Sequence, residues 1–378
     1  MIYLDNAATT VMAKEVVEAM RPYWSELYGN PSSLYDFAVR SKNSVENSRK
    51  QIAEVINARP EEIYFTSGGT ESDNWALNSA ANAFSVKGRH IITSAIEHPA
   101  IINTCKSLNK NGFVITYIPV DENGIVNIDE LNKAITKETV LISVMYANNE
   151  IGTIQPVNEI AEIASKNGIA FHTDAVQAFC QIPINVKKSK IDMLSLSGHK
   201  FNGPKGVGAL YIRQGLPVVP FMNGGSQERK KRAGTTNVPA IVGMAKAAEI
   251  SASILNDKIN REIKLRDYFM ENLLQQNRDV RINGDIKNRL PGNVNVSFKD
   301  VDGESLLVML DENGICASAG SACSSMQNGN SHVLEAIKVP EEYIGGSVRF
   351  TLSEKNTKEE IDFVLHVIKE AVTKLRVN

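Results

Sequence analysis

Ser195-Leu196-Ser197-Gly198-His199-Lys200-Phe201-Asn202-Gly203-Pro204-Lys205-Gly206 closes a short apolar run, Met193–Leu196, and opens a loop rich in glycine and proline. A strand that leaves a sheet through Ser-Gly-His-Lys suits a loop that holds something. Lysine attacks carbonyl carbons when its surroundings lower its pKa, and Ser197 and His199 are ready donors to an anion. A polar strand exit carrying a solvated lysine reads the same residues equally well, so the neighbouring segments must decide.

Upstream, apolar runs alternate with helical patterns. The runs are Ile63–Phe65, His90–Ser94, Val114–Pro119, Val140–Ala147, Ile169–Thr173, Met193–Leu196 and Gly208–Ile212. Helical spacing fills Thr70–Phe84 and Val157–Lys166. This alternation predicts an α/β fold with a mainly parallel sheet. Downstream, one long helical pattern begins near Pro239 and carries Leu255, Ile259, Ile263, Leu265, Phe269 and Leu273. Shorter strands follow at Asn293–Phe298 and Ser347–Leu352, then a helix over Lys358–Leu375. The expected division is a large domain over 13–256 and a smaller α+β domain built from 1–12 and 257–378.

Two further segments add chemistry. His172-Thr173-Asp174-Ala175-Val176-Gln177 places an acid at the carboxyl end of a strand, where ligands of open α/β sheets lie. Alone, Asp174 reads as a helix cap. Thr66-Ser67-Gly68-Gly69-Thr70-Glu71-Ser72 follows a strand and starts a helix, an arrangement that brings backbone N–H groups to an anion. An amine, a carboxylate and an anion cradle at one sheet edge match the needs of pyridoxal phosphate (PLP), whose ring nitrogen is kept protonated by an acid.

Together these segments resemble the cysteine desulfurase family, fold-type I PLP enzymes grouped with the class V aminotransferases. The resemblance spans Leu4–Thr10, Gly29–Ser33, Glu97–Ala100, Asn148–Gly152, Gln227–Arg229, Gly234-Thr235, Ala319–Cys323, Ser331–Leu334 and Gly346–Phe350. It implies a large domain with a mainly parallel seven-stranded sheet and a homodimer. It implies Lys200 as the Schiff-base lysine, Asp174 as partner of the pyridine nitrogen and Gln177 as donor to the ring hydroxyl. Gly69, Thr70, Ser197 and His199 are then the phosphate cradle, and His98 stacks on the ring and shuttles protons. Asn149 and Arg349 lie at the substrate end, with Arg349 clamping a carboxylate. Thr235 reaches the phosphate of the neighbouring subunit. The basic run Arg229–Arg232 belongs to that shared site rather than to a nucleic-acid track.

The reaction turns on Cys323. It sits in Ser318-Ala319-Gly320-Ser321-Ala322-Cys323-Ser324-Ser325, a run of small residues followed by the polar Met326–Asn330. Small residues suit a nucleophile that must travel. Cys180 and Cys316 have the apolar neighbours of structural cysteines, and Cys105 lies in a helical stretch. The expected reaction converts L-cysteine to L-alanine and leaves a persulfide on Cys323, for sulfur delivery to iron–sulfur cluster, thio-cofactor or tRNA assembly. The alternatives are a selenocysteine lyase, another class V PLP activity or a non-catalytic scaffold that kept the fold.

Composition excludes other classes. The 378 residues are 43% hydrophobic and 22% charged with a net charge of −2, giving no basic surface for nucleic acid. No apolar run nears the roughly 18 residues of a spanning helix, and no secretory pattern opens the chain, so a cytoplasmic setting is expected. Four cysteines, none paired as Cys-x-x-Cys, predict neither a disulfide framework nor a metal site. Three places depart from the family pattern: Tyr35 and Phe37 where His and Gly are usual, Ser226 in a glycine run, and Asn328-Gly329-Asn330 where Leu-Glu-Pro is common. They leave the sulfur acceptor open more than the chemistry.

Overall fold

A computed structural model describes residues 1–319 and 331–377. Its strands are β1 (Ile2–Tyr3), β2 (Ile63–Thr66), β3 (His90–Ser94), β4 (Val114–Ile118), β5 (Thr139–Ser143), β6 (Ala170–Asp174), β7 (Met193–Ser197), β8 (Gly208–Ile212), β9 (Val280–Ile282), β10 (Asn293–Phe298), β11 (Ile315–Cys316) and β12 (Ser347–Thr351). Seven of them form one sheet in the order β2-β8-β7-β6-β5-β3-β4. β4, β3, β5, β6 and β7 pair in parallel; β8 pairs antiparallel with both β7 and β2. The expected α/β architecture with a mainly parallel seven-stranded sheet is therefore present.

The continuous apolar runs are explained by burial on both faces. Every residue of β3, β5, β6, β7 and β8 is buried. β4, at the edge, exposes Val114 and Tyr117. One hydrophobic cluster gathers Ile92, Ile142, Phe171, Leu194 and Tyr211 with helices on one face. A second, on the other face, gathers Trp75, Leu77, Ile91, Leu141 and Leu210 around the helix Gly69–Ala83.

The sequence beyond residue 238 corrects one expectation. The single long helical pattern is two helices, Val238–Ser253 and Leu255–Gln276, bent by 71° at Ile254. Ile254 leaves helical geometry at φ −112° and ψ 5°, with no Pro or Gly to announce the break. No single described helix is long and apolar enough to cross a membrane. A third cluster packs Leu4 with Phe269, Val296, Phe350 and Ile368 around the three-stranded sheet β12-β10-β9. β1 pairs in parallel with β11, so residues 2–4 are built into that cluster. Val333, Leu334 and Ile337 return to the first cluster, beneath the large sheet.

Candidate active site

The strand ends β6 and β7, the start of the helix Gly69–Ala83 and the segment Ala7-Ala8 surround a cavity of about 270 Å³. Ten of the residues expected at the site line it: Gly69, Thr70, His98, Asn149, Asp174, Gln177, Ser197, His199, Lys200 and Arg349. Thr235 is exposed and lies outside the lining. Cys323 lies outside the described residues, as do Asn328 and Asn330.

At one end the helix presents its free N–H groups and positive dipole end. Gly69 is required there by space: a Cβ on it would come within 2.6 Å of Val176 Cγ2. Ser197 ends β7 beside it, and His199 follows in a single 3₁₀ turn. Burial and the Lys200 and Lys205 charges push the His199 imidazole down to about 4. It is therefore neutral near pH 7, and its Nδ1 is 3.1 Å from Thr9 Oγ1.

Lys200 is held by the amino-terminal segment. Its Nζ donates to the carbonyls of Ala7 at 2.5 Å and Ala8 at 2.8 Å. Gln177 Nε2 donates to the same Ala7 carbonyl at 3.0 Å. Thr10 donates twice to the His199 carbonyl, from its N–H and from its hydroxyl, at 2.9 Å each. Residues 7–10 thus strap the lysine turn to the sheet edge.

Asp174 ends β6 and is 6% exposed. Its Oδ1 accepts the Val176 N–H at 2.9 Å, yet burial still raises it above the usual carboxylate range. A cationic ring nitrogen would reverse that rise. His98 caps the helix Pro99–Lys110, its Nδ1 accepting the Ala100 N–H at 3.1 Å. That bond assigns the proton of the neutral ring to Nε2. The helix-start role and the place at the cavity thus coincide in one residue. Burial lowers its pKa, and Asp174 partly restores it.

At the other end Arg349, 1% exposed on β12, donates from Nη1 to the Asn149 carbonyl at 2.9 Å and from Nη2 to Asp5 Oδ1 at 2.9 Å. Its Nε has no partner among the described residues. Arg349 also anchors the approach to Cys323: the Ser318 N–H and C=O pair with its backbone at 3.2 and 2.7 Å. On the far side of the 320–330 stretch, the Ser331 hydroxyl donates to Glu150 Oε2 at 2.6 Å. Both flanks of the cysteine stretch are therefore fastened beside the cavity.

The donor set fits PLP. A buried acid, a lysine amine and a helix start with hydroxyl and imidazole donors would meet the ring nitrogen, the aldehyde and the phosphate respectively. The aminotransferase class-V family matches residues 2–364 of the sequence. The chain belongs to that family. The cysteine desulfurase IscS of Methanosarcina thermophila is 54% identical over 375 residues, 99% of this chain and 93% of the relative. A solved structure described as a NifS-like protein superposes with a TM-score of 0.93 at 40% identity, covering 99% of this chain and 100% of that one. SspA, solved in complex with cysteine, gives 0.83 at 36% identity over 94% and 100% of the two chains.

The cavity also has wall residues that sequence reasoning missed. Ala7, Ala8, Asp73, Met145, Ala147 and Val176 also line the cavity. The apolar ones left no signal beyond proximity to the motifs. Asp73 had one: it follows Gly69 and Thr70 at the spacing that shares a helix face.

Proposed function

We infer that the protein is a PLP-dependent cysteine desulfurase that converts L-cysteine to L-alanine and passes the sulfur to Cys323. The observation that carries this reading is the convergence of Lys200, Asp174, the helix start at Gly69 and Arg349 on one cavity. Bound PLP supplies an electron sink for charge developing at the substrate α-carbon. Lys200 holds its aldehyde, Asp174 its ring nitrogen and Gln177 its ring hydroxyl. Gly69, Thr70, Ser197 and His199 hold its phosphate.

Arg349 and Asn149 orient the substrate carboxylate and amine. Lys200 Nζ takes the α-proton, and His98 gives its Nε2 proton to the carbon released from sulfur and takes the thiol proton in its place. The Cys323 thiolate then attacks the substrate sulfur: the substrate C–S bond breaks, an S–S bond forms, and alanine leaves. The tethering of Ser318 and Ser331 beside the cavity supports this role. Thr235, exposed and off the lining, suits a donor to the partner subunit's phosphate in a homodimer. The sulfur acceptor is a scaffold or carrier protein of iron–sulfur, thio-cofactor or tRNA assembly in the cytoplasm. The core of Leu4, Phe269, Val296, Phe350 and Ile368 draws only on residues of 1–12 and 257–378, which supports a division near residue 256, while Leu290, Val333 and Ile337 pack with the large core.

Incubating the holoenzyme with labelled cysteine tests this. Alanine and one labelled sulfur on Cys323 are expected in equal amounts before turnover. Alanine without sulfur on Cys323 would remove the cysteine from the mechanism.

A further inference from the structure

Asp73 lines the cavity and is 1% exposed, yet none of the roles above uses it. Its carboxyl lies beside that of Asp174. Ligand atoms of Asp73, Asp174 and His98 all lie within 4.8 Å of one another. Two carboxylate anions cannot share a hydrogen bond; one of the pair keeps a proton. The surroundings decide which.

Asp174 receives the Val176 N–H and faces the Lys200 and His98 charges, all of which favour its anion. Asp73 has less support: only the Ser195 hydroxyl favours its anion. Its Oδ1 accepts no hydrogen bond among the described residues. The nearest cation-forming group, His172 Nε2, is 3.7 Å away. That ring is already engaged by Ser143 at 2.9 Å and Ser195 at 3.0 Å, and burial pushes it down to about 3. Burial holds Asp73 well above the usual range, and the Asp174 and Glu97 charges add to the rise.

We propose that Asp73 is a neutral carboxylic acid that donates to Asp174 and positions that carboxylate for the pyridine nitrogen of PLP. This rests on the role given to Asp174 above. The geometry gives one helix two tasks. Its first residues, Gly69 and Thr70, face the phosphate end, and one turn later Asp73 braces the acid at the ring end. Losing the donor frees Asp174 to rotate and makes it more basic.

The test compares Asp73→Asn, which keeps a donor of the same shape, with Asp73→Ala, which removes it. Asp73→Ser serves if the alanine variant does not fold. Apo-protein is titrated with PLP, and the visible band of the holoenzyme is followed across pH. Asp73→Asn should keep PLP affinity and the pH midpoint of the band close to wild type. Asp73→Ala or Asp73→Ser should bind PLP about 10-fold more weakly and shift the midpoint. Its kcat for cysteine should fall while KM holds. Wild-type affinity and midpoint in a folded alanine or serine variant would overturn the proposal. So would an asparagine variant as impaired as alanine, since the charge would then be the active property. The affinity and the pH midpoint need only PLP. A wild-type protein that binds PLP as described but releases no sulfur from cysteine would defeat the desulfurase reading and leave this one intact.

Discussion

Asp5 Oδ1 accepts a hydrogen bond from Arg349 Nη2 across 2.9 Å, joining the segment after β1 to a guanidinium that lines the cavity. The Asn149 carbonyl holds Nη1 at the same distance. The guanidinium is thus aimed before any carboxylate arrives. Asp5→Ala should raise KM for cysteine about 10-fold, with a smaller change in kcat and unchanged PLP content. Steady-state kinetics beside a PLP assay check this; a fall in kcat at constant KM would contradict it.

Cys323→Ser should bind PLP and cysteine, seen as a spectral change on adding substrate, but transfer no sulfur. Lys200→Ala should lose the visible band of the lysine-bound cofactor. Absorption spectra and persulfide mass spectrometry distinguish the two variants. Sulfide release by the serine variant at the wild-type rate would show that another group carries sulfur.

Arg49 and Glu228 form a buried ion pair at 2.8 Å, with side chains only 5% and 8% exposed. Glu228 also accepts the Phe65 N–H at 2.9 Å. Arg49→Met leaves a buried carboxylate unpaired and should cost about 3–5 kcal/mol in urea unfolding. The double variant with Glu228→Gln should recover a large part of that loss. No recovery would mean that packing of Arg49 over Phe65, 4.7 Å from its ring centre, dominates.

Glu97 is buried and raised to about 8, chiefly by desolvation. Its Oε1 accepts from Ser94 Oγ at 2.5 Å and the Met145 N–H at 2.9 Å, while Oε2 has no partner among the described residues. A folded pKa above the unfolded one favours folding below about 4.5, and that stability is lost as pH rises toward 8. Glu97→Gln keeps the acceptor and removes the titration. Its stability relative to wild type should therefore climb by roughly 1 kcal/mol per pH unit between about 5 and 8. Urea unfolding at several pH values checks this; a flat difference would show that Glu97 is ionised when folded.

The large sheet was legible because strands buried on both faces must be apolar throughout. All seven runs became strands, although Val140–Ala147 leaves the ladder at Ser143. The helix over Val157–Lys166 was legible from its apolar spacing. Lys200, Asp174 and Gly69 could be read only together: each alone has an ordinary structural use, and their joint order along the sheet edge singled them out. The strap of Ala7-Ala8 over Lys200 could not: alanines donate only backbone carbonyls, and nothing local ties residue 7 to residue 200. Glu228, Arg229 and Lys230 adopt φ of 41°, 56° and 64° without glycine. Long-range partners hold that turn: Arg49 on Glu228, and the Ile63 carbonyl accepting from Arg229.

The strap also sets a timetable. Asn6 and Ala7 are pinned by Thr351, whose carbonyl and hydroxyl accept their N–H groups at 3.4 and 2.8 Å, and Asp5 by Arg349. Residues translated first are therefore locked by residues translated some 340 positions later. On the ribosome, the lysine turn can fold with its sheet long before its cover is fixed. The site is complete only once β12 is in place, because that strand supplies Arg349 and the Thr351 groups that pin the strap. A nascent chain short of that strand lacks both Arg349 and the Thr351 anchor of the strap.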